Sequence, residues 1–150
     1  MHASYKIVPV AWDAPESAVV EAIRFAVFVE EQGTPADEEV DEHDTRAWHV
    51  LALDGSGKAC GTGRLFDEKG SRRTGRIGRM AVLRSARHSG CGTAIMRALM
   101  AEARSRGFRR IVLSAQKHAV PFYASFGFVV ESDEYMDCGI PHHDMGVDVV

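Results

Sequence analysis

The stretch "RMAVLRSARHSGCGTAIMRALM", residues 79–100, decides how this chain is read. Apolar residues 80–83 pass into a basic, polar turn. Gly90 and Gly92 follow with one residue between them, and a helical pattern begins at 91. The first N–H groups of a helix have no partner within it and lie at the positive end of its dipole. A strand, a turn and a helix in this order therefore suit an anion, phosphate above all. Gly90 and Gly92 lack a Cβ where a ligand needs close approach to the backbone, and Arg87 and His88 add positive or hydrogen-bonding groups. No standard nucleotide motif fits. A Walker A loop needs a lysine after its last glycine, where this chain has Thr93. A dinucleotide fingerprint needs a third glycine, where it has Ile95. "GTGRLF", residues 61–66, fails in the same way. Two readings of the glycines stay open: a phosphate cradle, or a helix start packed closely on its neighbours.

Outward from this junction, residues 91 to about 106 read as a helix. Ile95, Met96, Leu99 and Met100 form its apolar stripe, Arg97, Glu102, Arg104 and Arg106 lie outside, and Gly107 stops it. "RIVLSA" is then a compact strand, "AVPFYASFGF" a short helix ending at Gly127, and "FVVES" and "MGVDVV" the last strands. Upstream, "AWHVLALD", "ACGTGRLF" and "GRIGRMAVL" read as three strands in series, the first two joined by the turn "GSGK". "YKIVPV" is an N-terminal strand. The helix after it takes Asp13 as its cap, with Glu16 at capping-box spacing, and Val19, Val20, Ile23 and Val27 as its apolar face. Residues 30–46, "EEQGTPADEEVDEHDTR", read as a long acidic loop opened by Gly33 and Pro35. The order is β-α-β-β-β-α-β-α-β-β. That is an α/β chain, one domain by length, with a mixed, mostly antiparallel twisted sheet and flanking helices.

The 150 residues are 45% hydrophobic and 26% charged, which suffices for a core and argues against disorder. A net charge of -3 gives no reason to expect a nucleic-acid partner. No apolar run approaches the roughly 20 residues that span a bilayer, so no membrane partner is expected. The first residues lack the pattern of a secretory signal. Cys60, Cys91 and Cys138 are odd in number and form no CxxC. Neither a disulfide framework nor a thiolate zinc site is expected, and a reducing, cytoplasmic compartment fits.

"RHSGCG", Arg87-x-x-Gly90-x-Gly92, resembles the [QR]xxGx[GA] motif of the Gcn5-related N-acetyltransferases (GNAT). In that family the motif follows a strand, opens a helix and binds the pyrophosphate of acetyl-coenzyme A. "AQKHAVPFYASFGF", residues 115–128, is similar to the family's later motif, a strand end and a short helix with "FY" and then "GF". "RFAVFVEEQ" (24–32), "DEHD" before "AWHV", and "GIPHHDM" look like the ElaA-like and YjcF-like small bacterial acetyltransferases. The resemblance implies a GNAT fold and acetyl-CoA as the acyl donor, with no metal. The acceptor would be a small-molecule or peptide amine, and homodimers are common in the family. It carries the cofactor contacts onto His88, Ser89, Gly90, Cys91, Gly92 and Thr93 with Arg87, the pantetheine contacts onto Met80, Ala81 and Val82, and the acid that meets the departing thiolate onto Tyr123. Gln116 stands where the family often has an asparagine that touches the cofactor, so its contact is the less certain carry-over.

The implied chemistry is direct transfer: an amine attacks the thioester, and coenzyme A leaves as thiolate. A backbone N–H of Met80, Ala81 or Val82 is the candidate oxyanion donor, and Tyr123 the candidate acid. Without the resemblance, Tyr123 is equally a core aromatic beside Phe122, Phe126 and Phe128. Glu31, Asp41, His49, His142 and His143 are candidate bases or acceptor contacts, with Glu31 and His49 put forward first. The carboxylates Glu38, Glu39, Asp41, Glu42 and Asp44 read as a solvated loop surface, or as a field that gathers a cationic amine. A metal site on Asp41, His43, Asp44 and His49 lacks any fixed ligand spacing. Cys91 at a helix start is expected to have a lowered pKa. A non-catalytic acyl-CoA-binding or regulatory module is the alternative function.

Overall fold

The computed structural model describes residues 4–68 and 73–149. Strand β1 (Lys6–Val10) leads to helix α1 (Ser17–Arg24), which continues as a π-helical segment, Phe25–Glu31. A one-turn helix α2 (Ala36–Glu39) interrupts the acidic loop. Strands β2 (Trp48–Leu53), β3 (Ala59–Asp67) and β4 (Thr74–Val82) follow, then helix α3 (Cys91–Ser105). Strand β5 (Arg110–Gln116) leads to helix α4 (Val120–Ala124), with Pro121 in its first turn, where its missing N–H is harmless. Strands β6 (Val129–Val130), β7 (Tyr135–Asp137) and β8 (Ile140–Asp148) complete the order. The expected α/β order is present. β7 is an addition: residues 135–137 and 140–148 form a tight hairpin turned by Cys138 and Gly139, both left-handed. The "MGVDVV" strand accordingly begins earlier, at Ile140.

One sheet runs β1-β2-β3-β4-β5-β8-β6, with β7 also on β8. Every pairing is antiparallel except β4 with β5. That parallel pairing is short: only Thr74, Gly75 and Arg76 face Arg110, Ile111 and Val112. Beyond Arg76 the two strands part, leaving a notch in the sheet. β4 is also bulged, since Thr62 faces Ala81 but Arg64 faces Gly78, so two residues of β4 oppose Gly63 alone. Arg79 in the bulge has φ +50, a left-handed conformation uncommon outside glycine.

The apolar stripe of α3 is buried as its spacing dictates: Ile95, Met96 and Leu99 have no exposure and pack with Leu65, Ile77, Ile111 and Met145 on one face of the sheet. Burial of each such side chain contributes about 1.5–3 kcal/mol. The helix lies so close that a Cβ on Gly61 would stand 2.8 Å from Ile95 Cδ1 and Cys91 Sγ, and one on Gly63 2.9 Å from Ile95 Cγ2. The "GTG" glycines therefore serve packing. On the opposite face Val20, Ile23 and Val27 pack with Val10, Leu51 and Ala81. Val19 does not join them and is 40% exposed. The expected Asp13 cap is also absent. The helix begins after Glu16, with no side-chain cap bond, because residues 14–18 enter it through a backbone turn (Ser17 N–H to Ala14 O, 3.1 Å).

Candidate active site

The notch between β4 and β5 is flanked by the residues singled out in the sequence. β4 runs through Met80, Ala81 and Val82 along its open edge and, past a short turn at Arg84–Ala86, reaches the N-terminus of α3. Within that turn His88 (φ +62) and Gly90 (φ +93) are both left-handed. Such alternation points successive N–H groups into one concavity, the form of an anion nest. Gly90 is the N-cap of α3 and no side chain caps the helix. Gly90 thus serves backbone conformation. Gly92 serves close approach: a Cβ there would come within 3.2 Å of Phe122 on α4. The two glycines thus do different work, Gly90 in the conformation of the turn and Gly92 in the packing of α4 on α3.

The side chains of the turn are already engaged. Arg87 donates from Nε to Val82 O (3.0 Å) and from Nη1 and Nη2 to the two oxygens of Glu31 (2.9 and 2.7 Å). Arg84 adds a bond to Glu31 (3.2 Å). Ser89 donates to Ala86 O and bonds Tyr5. Cys91 is buried beside Cys60, Sγ to Sγ 3.9 Å. Burial pushes its pKa up to about 12, opposite to the lowering expected at a helix start. Removal from water outweighs the dipole, because the side chain points into the core and the free N–H groups point out.

Tyr123 on α4 packs edge-on against Phe122 (5.1 Å, 71°) and Phe128 (6.3 Å, 71°) and lies against the α3-side core. Burial raises its pKa to about 12, so the phenol stays protonated at neutral pH. The aromatic reading and the acid reading are therefore compatible. Gln116 ends β5 at the wide part of the notch. Its Nε2 donates to Gln32 Oε1 (2.9 Å), and Gln32 Nε2 donates back to Gln116 Oε1 (3.3 Å). This amide pair ties the end of the π-helical segment to β5 across the notch.

The acidic loop is less a solvated surface than a buried ionic lattice. Asp44 has no exposure and Glu39 only 4%, while Glu38 and Glu42 remain exposed. Arg24 of α1, itself fully buried, bonds Glu39 and both oxygens of Asp44 (2.8 and 3.0 Å). Arg64 of β3 bonds Asp44 (2.7 Å) and both oxygens of Asp41 (2.7 and 2.8 Å). Arg79 joins Asp41 (3.3 Å) and the Glu39 carbonyl (3.2 Å). Burial opposes ionisation of Asp44 most. The bonds and charges of Arg24 and Arg64, with the Asp41 N–H, outweigh it and hold the carboxyl far below the usual range. Asp41 is lowered in the same way, burial being overcome by Arg64 and Arg79. A metal on these carboxylates would have to displace three arginines, and His43 is stacked on Phe66 (4.3 Å).

The two bases put forward first fare poorly. Glu31 is pulled below its ordinary pKa by Arg87 and then Arg84, so it is a weak base. His49 is fully buried on β2, stacked on Trp12 (4.5 Å), with Nε2 donating to Asp44 O (2.8 Å). Burial lowers its pKa, and its Nδ1 is enclosed without a partner. His49 belongs to the arginine lattice.

Comparison with known proteins agrees with this geometry. The family model of the acetyltransferase (GNAT) domain matches residues 14–149. The chain is 42% identical over 124 residues to the uncharacterized N-acetyltransferase YjcF of Bacillus subtilis (strain 168), covering 82% of this chain and 86% of that protein. It superposes on the crystal structure of an acyl-CoA N-acyltransferase from Pseudomonas aeruginosa with a TM-score of 0.81 at 30% identity, covering 95% and 99% of the two chains. Escherichia coli ElaA gives a TM-score of 0.83 at 24% identity over 95% and 99%, a likeness of fold alone. Among the described residues no helix is long and apolar enough to cross a membrane. The notched sheet, the uncapped helix at its edge and these matches lead to one conclusion: the chain belongs to the GNAT acetyltransferase family and is an acyltransferase that uses an acyl-coenzyme A cosubstrate.

Proposed function

We propose that this protein transfers the acetyl group of acetyl-CoA to an amine in one direct step. The observation that carries the reading is the uncapped, left-handed turn of residues 88–93, set at the end of a strand whose edge is open to the notch. In this reading the pyrophosphate lies on the backbone N–H groups of His88–Thr93, so no lysine is needed. Arg87 acts through its bonds to Glu31 and Val82, shaping the turn. The pantetheine arm lies along Met80–Val82, and Gln116 meets it once its partner Gln32 gives way.

The acceptor nitrogen forms a bond to the thioester carbon. The developing oxyanion takes a hydrogen bond from a β4 backbone N–H among Met80, Ala81 and Val82. As the C–S bond breaks, the Tyr123 hydroxyl donates to the departing thiolate. The phenol suits this, because it retains its proton at neutral pH.

Two measurements test the reading. Calorimetry with acetyl-CoA at physiological salt should show saturable 1:1 binding, and its absence would falsify the proposal. Tyr123→Phe should lower the rate of thiol release with an amine panel by about 10²-fold with unchanged acetyl-CoA affinity. Equal turnover removes Tyr123 from the mechanism. Binding without thiol release from any amine would favour a non-catalytic acyl-CoA-binding module.

A further inference from the structure

Direct transfer requires a neutral amine, and therefore a base on the side of the sheet from which the amine arrives. The other candidates are already engaged. Glu31 is held by two arginines, Asp41 by Arg64 and Arg79, and His49 is enclosed in the lattice. His143 pairs in register with Ala115, whose side chain lies in the α3-side core, so it faces away from Gln116 and Gln32. Its Nδ1 is turned to Ser132 O (3.2 Å).

We propose that His142 is the general base of acyl transfer, accepting the amine proton at Nε2. His142 pairs directly with Gln116, so the two side chains share the face on which Gln116 meets Gln32. This pair lies four residues beyond Val112, the last point where β5 touches β4, or about 13 Å along the strand. Gln116 therefore borders the wide part of the notch, and His142 stands one strand behind it on the same face. His142 Nδ1 lies 2.7 Å from Ile140 O. A carbonyl only accepts, so Nδ1 carries the hydrogen and the neutral ring presents its lone pair at Nε2. Among the described residues no hydrogen bond is made to Nε2, although the residue is only 8% exposed. The ring is also fixed in orientation, because it stacks on Tyr135 (5.9 Å, 21°). The Tyr135 hydroxyl donates to Asp144 (2.6 Å) and lies 2.9 Å from Ser114 Oγ.

The inference rests on the acetyl-transfer reading. Nε2 first takes a proton from the bound ammonium, which leaves a neutral amine and an imidazolium that returns the proton to water. As the C–N bond then forms and the C–S bond breaks, the second proton lost by the attacking nitrogen ends on the departing sulfur, to which the Tyr123 hydroxyl donates. The ionisable groups around the ring are Tyr135 on β7 and Asp144 on the same face of β8. Lys117, next to Gln116, is paired with Glu134 (2.9 Å), and Glu38 of α2 meets the β7–β8 turn at Cys138 (3.5 Å).

The variant to make is His142→Asn, which retains a donor for Ile140 O. Acetyl-CoA affinity by calorimetry should be unchanged. Thiol release with benzylamine at pH 7 should fall about 10²-fold. Hydroxylamine, already neutral at that pH, should lose less than about tenfold. Equal losses with both amines overturn the proposal. Independently of any acceptor, ¹⁵N NMR of labelled imidazoles in the wild-type protein should show the neutral His142 ring protonated at Nδ1 and free at Nε2; the reverse tautomer overturns it. Absence of acetyl-CoA binding would instead remove the reading beneath it, and the NMR result would still decide whether His142 has the basic atom assigned to it.

Discussion

The turn at 88–93 and the acidic loop at 30–46 are built in opposite ways. The turn is made of backbone: two left-handed residues, an uncapped helix and side chains directed elsewhere. The loop is made of side chains: Glu39, Asp41 and Asp44 are locked by Arg24, Arg64 and Arg79, and its own backbone forms little more than one helical turn. A backbone concavity keeps its N–H groups free for an incoming anion. A lattice of paired charges has no such vacancy. The difference separates binding from support: the turn is suited to hold a ligand, and the loop to hold the wall of the notch in place. Glu31 joins the two, since it ends the π-helical segment and grips Arg87 of the turn.

If the loop is support, removing one cation should damage stability above all. Arg24→Met leaves Glu39 and Asp44 buried without their main partner, and urea unfolding should show a loss of about 3–5 kcal/mol. The acetyl-CoA affinity of the folded fraction should be retained; a selective loss of affinity would place the loop among the ligand contacts. The turn should respond in the other sense. Gly90→Ala imposes a Cβ at φ +93 and should destabilise by only about 1–2 kcal/mol. It should nevertheless weaken acetyl-CoA binding by roughly tenfold or more in calorimetry.

Acid should also act through the loop. The carboxyls of Asp44 and Asp41 have folded pKa values below their unfolded value of about 3.9. Their stabilisation is complete above that pH and is lost as pH falls toward the folded values, because the unfolded chain binds protons first. His49 acts in the same direction at higher pH: burial lowers its pKa, so its contribution declines below about 6.5. Chemical unfolding from pH 7 to 3 should show both declines, and Asp44→Asn should flatten the lower one. The smallest effect belongs to the link. Glu31→Gln breaks a partly exposed pair worth at most about 1 kcal/mol, and should raise the acetyl-CoA Kd by no more than about fivefold.

The same contrast explains what the sequence revealed. The turn was legible because its determinants are neighbours: Gly90 and Gly92 stand two residues apart, after an apolar strand and before a 3.6-residue stripe. Ile95, Met96 and Leu99 identified their own helix and their own burial. The lattice was not legible, because Arg24, Arg64 and Arg79 meet carboxylates 15 to 38 residues away, and a run of acids looks the same whether solvated or clamped. Arg24 stands on the buried side of α1 beside Ile23, where a cation is unexpected unless paired. That mismatch was the available signal for the lattice. Strand β7 escaped because three residues with one apolar side chain carry no period. The lowered pKa expected for Cys91 followed from helix position alone, and burial against Cys60 reverses it. His142 stood behind Glu31 and His49 in the sequence, and nothing there distinguished it from His143, which the β5–β8 register puts on the other face.

An amide-resolved titration of ¹⁵N-labelled protein with acetyl-CoA joins these threads in one experiment. The largest shifts should fall on the N–H groups of residues 88–93 and on Met80–Val82, with a second group at Gln116 and Gln32 as their amide pair opens. Residues 36–46 should move little. Shifts centred on the acidic loop, or none at residues 88–93 when the cofactor is saturating, would contradict the division of the notch into a binding turn and a supporting lattice.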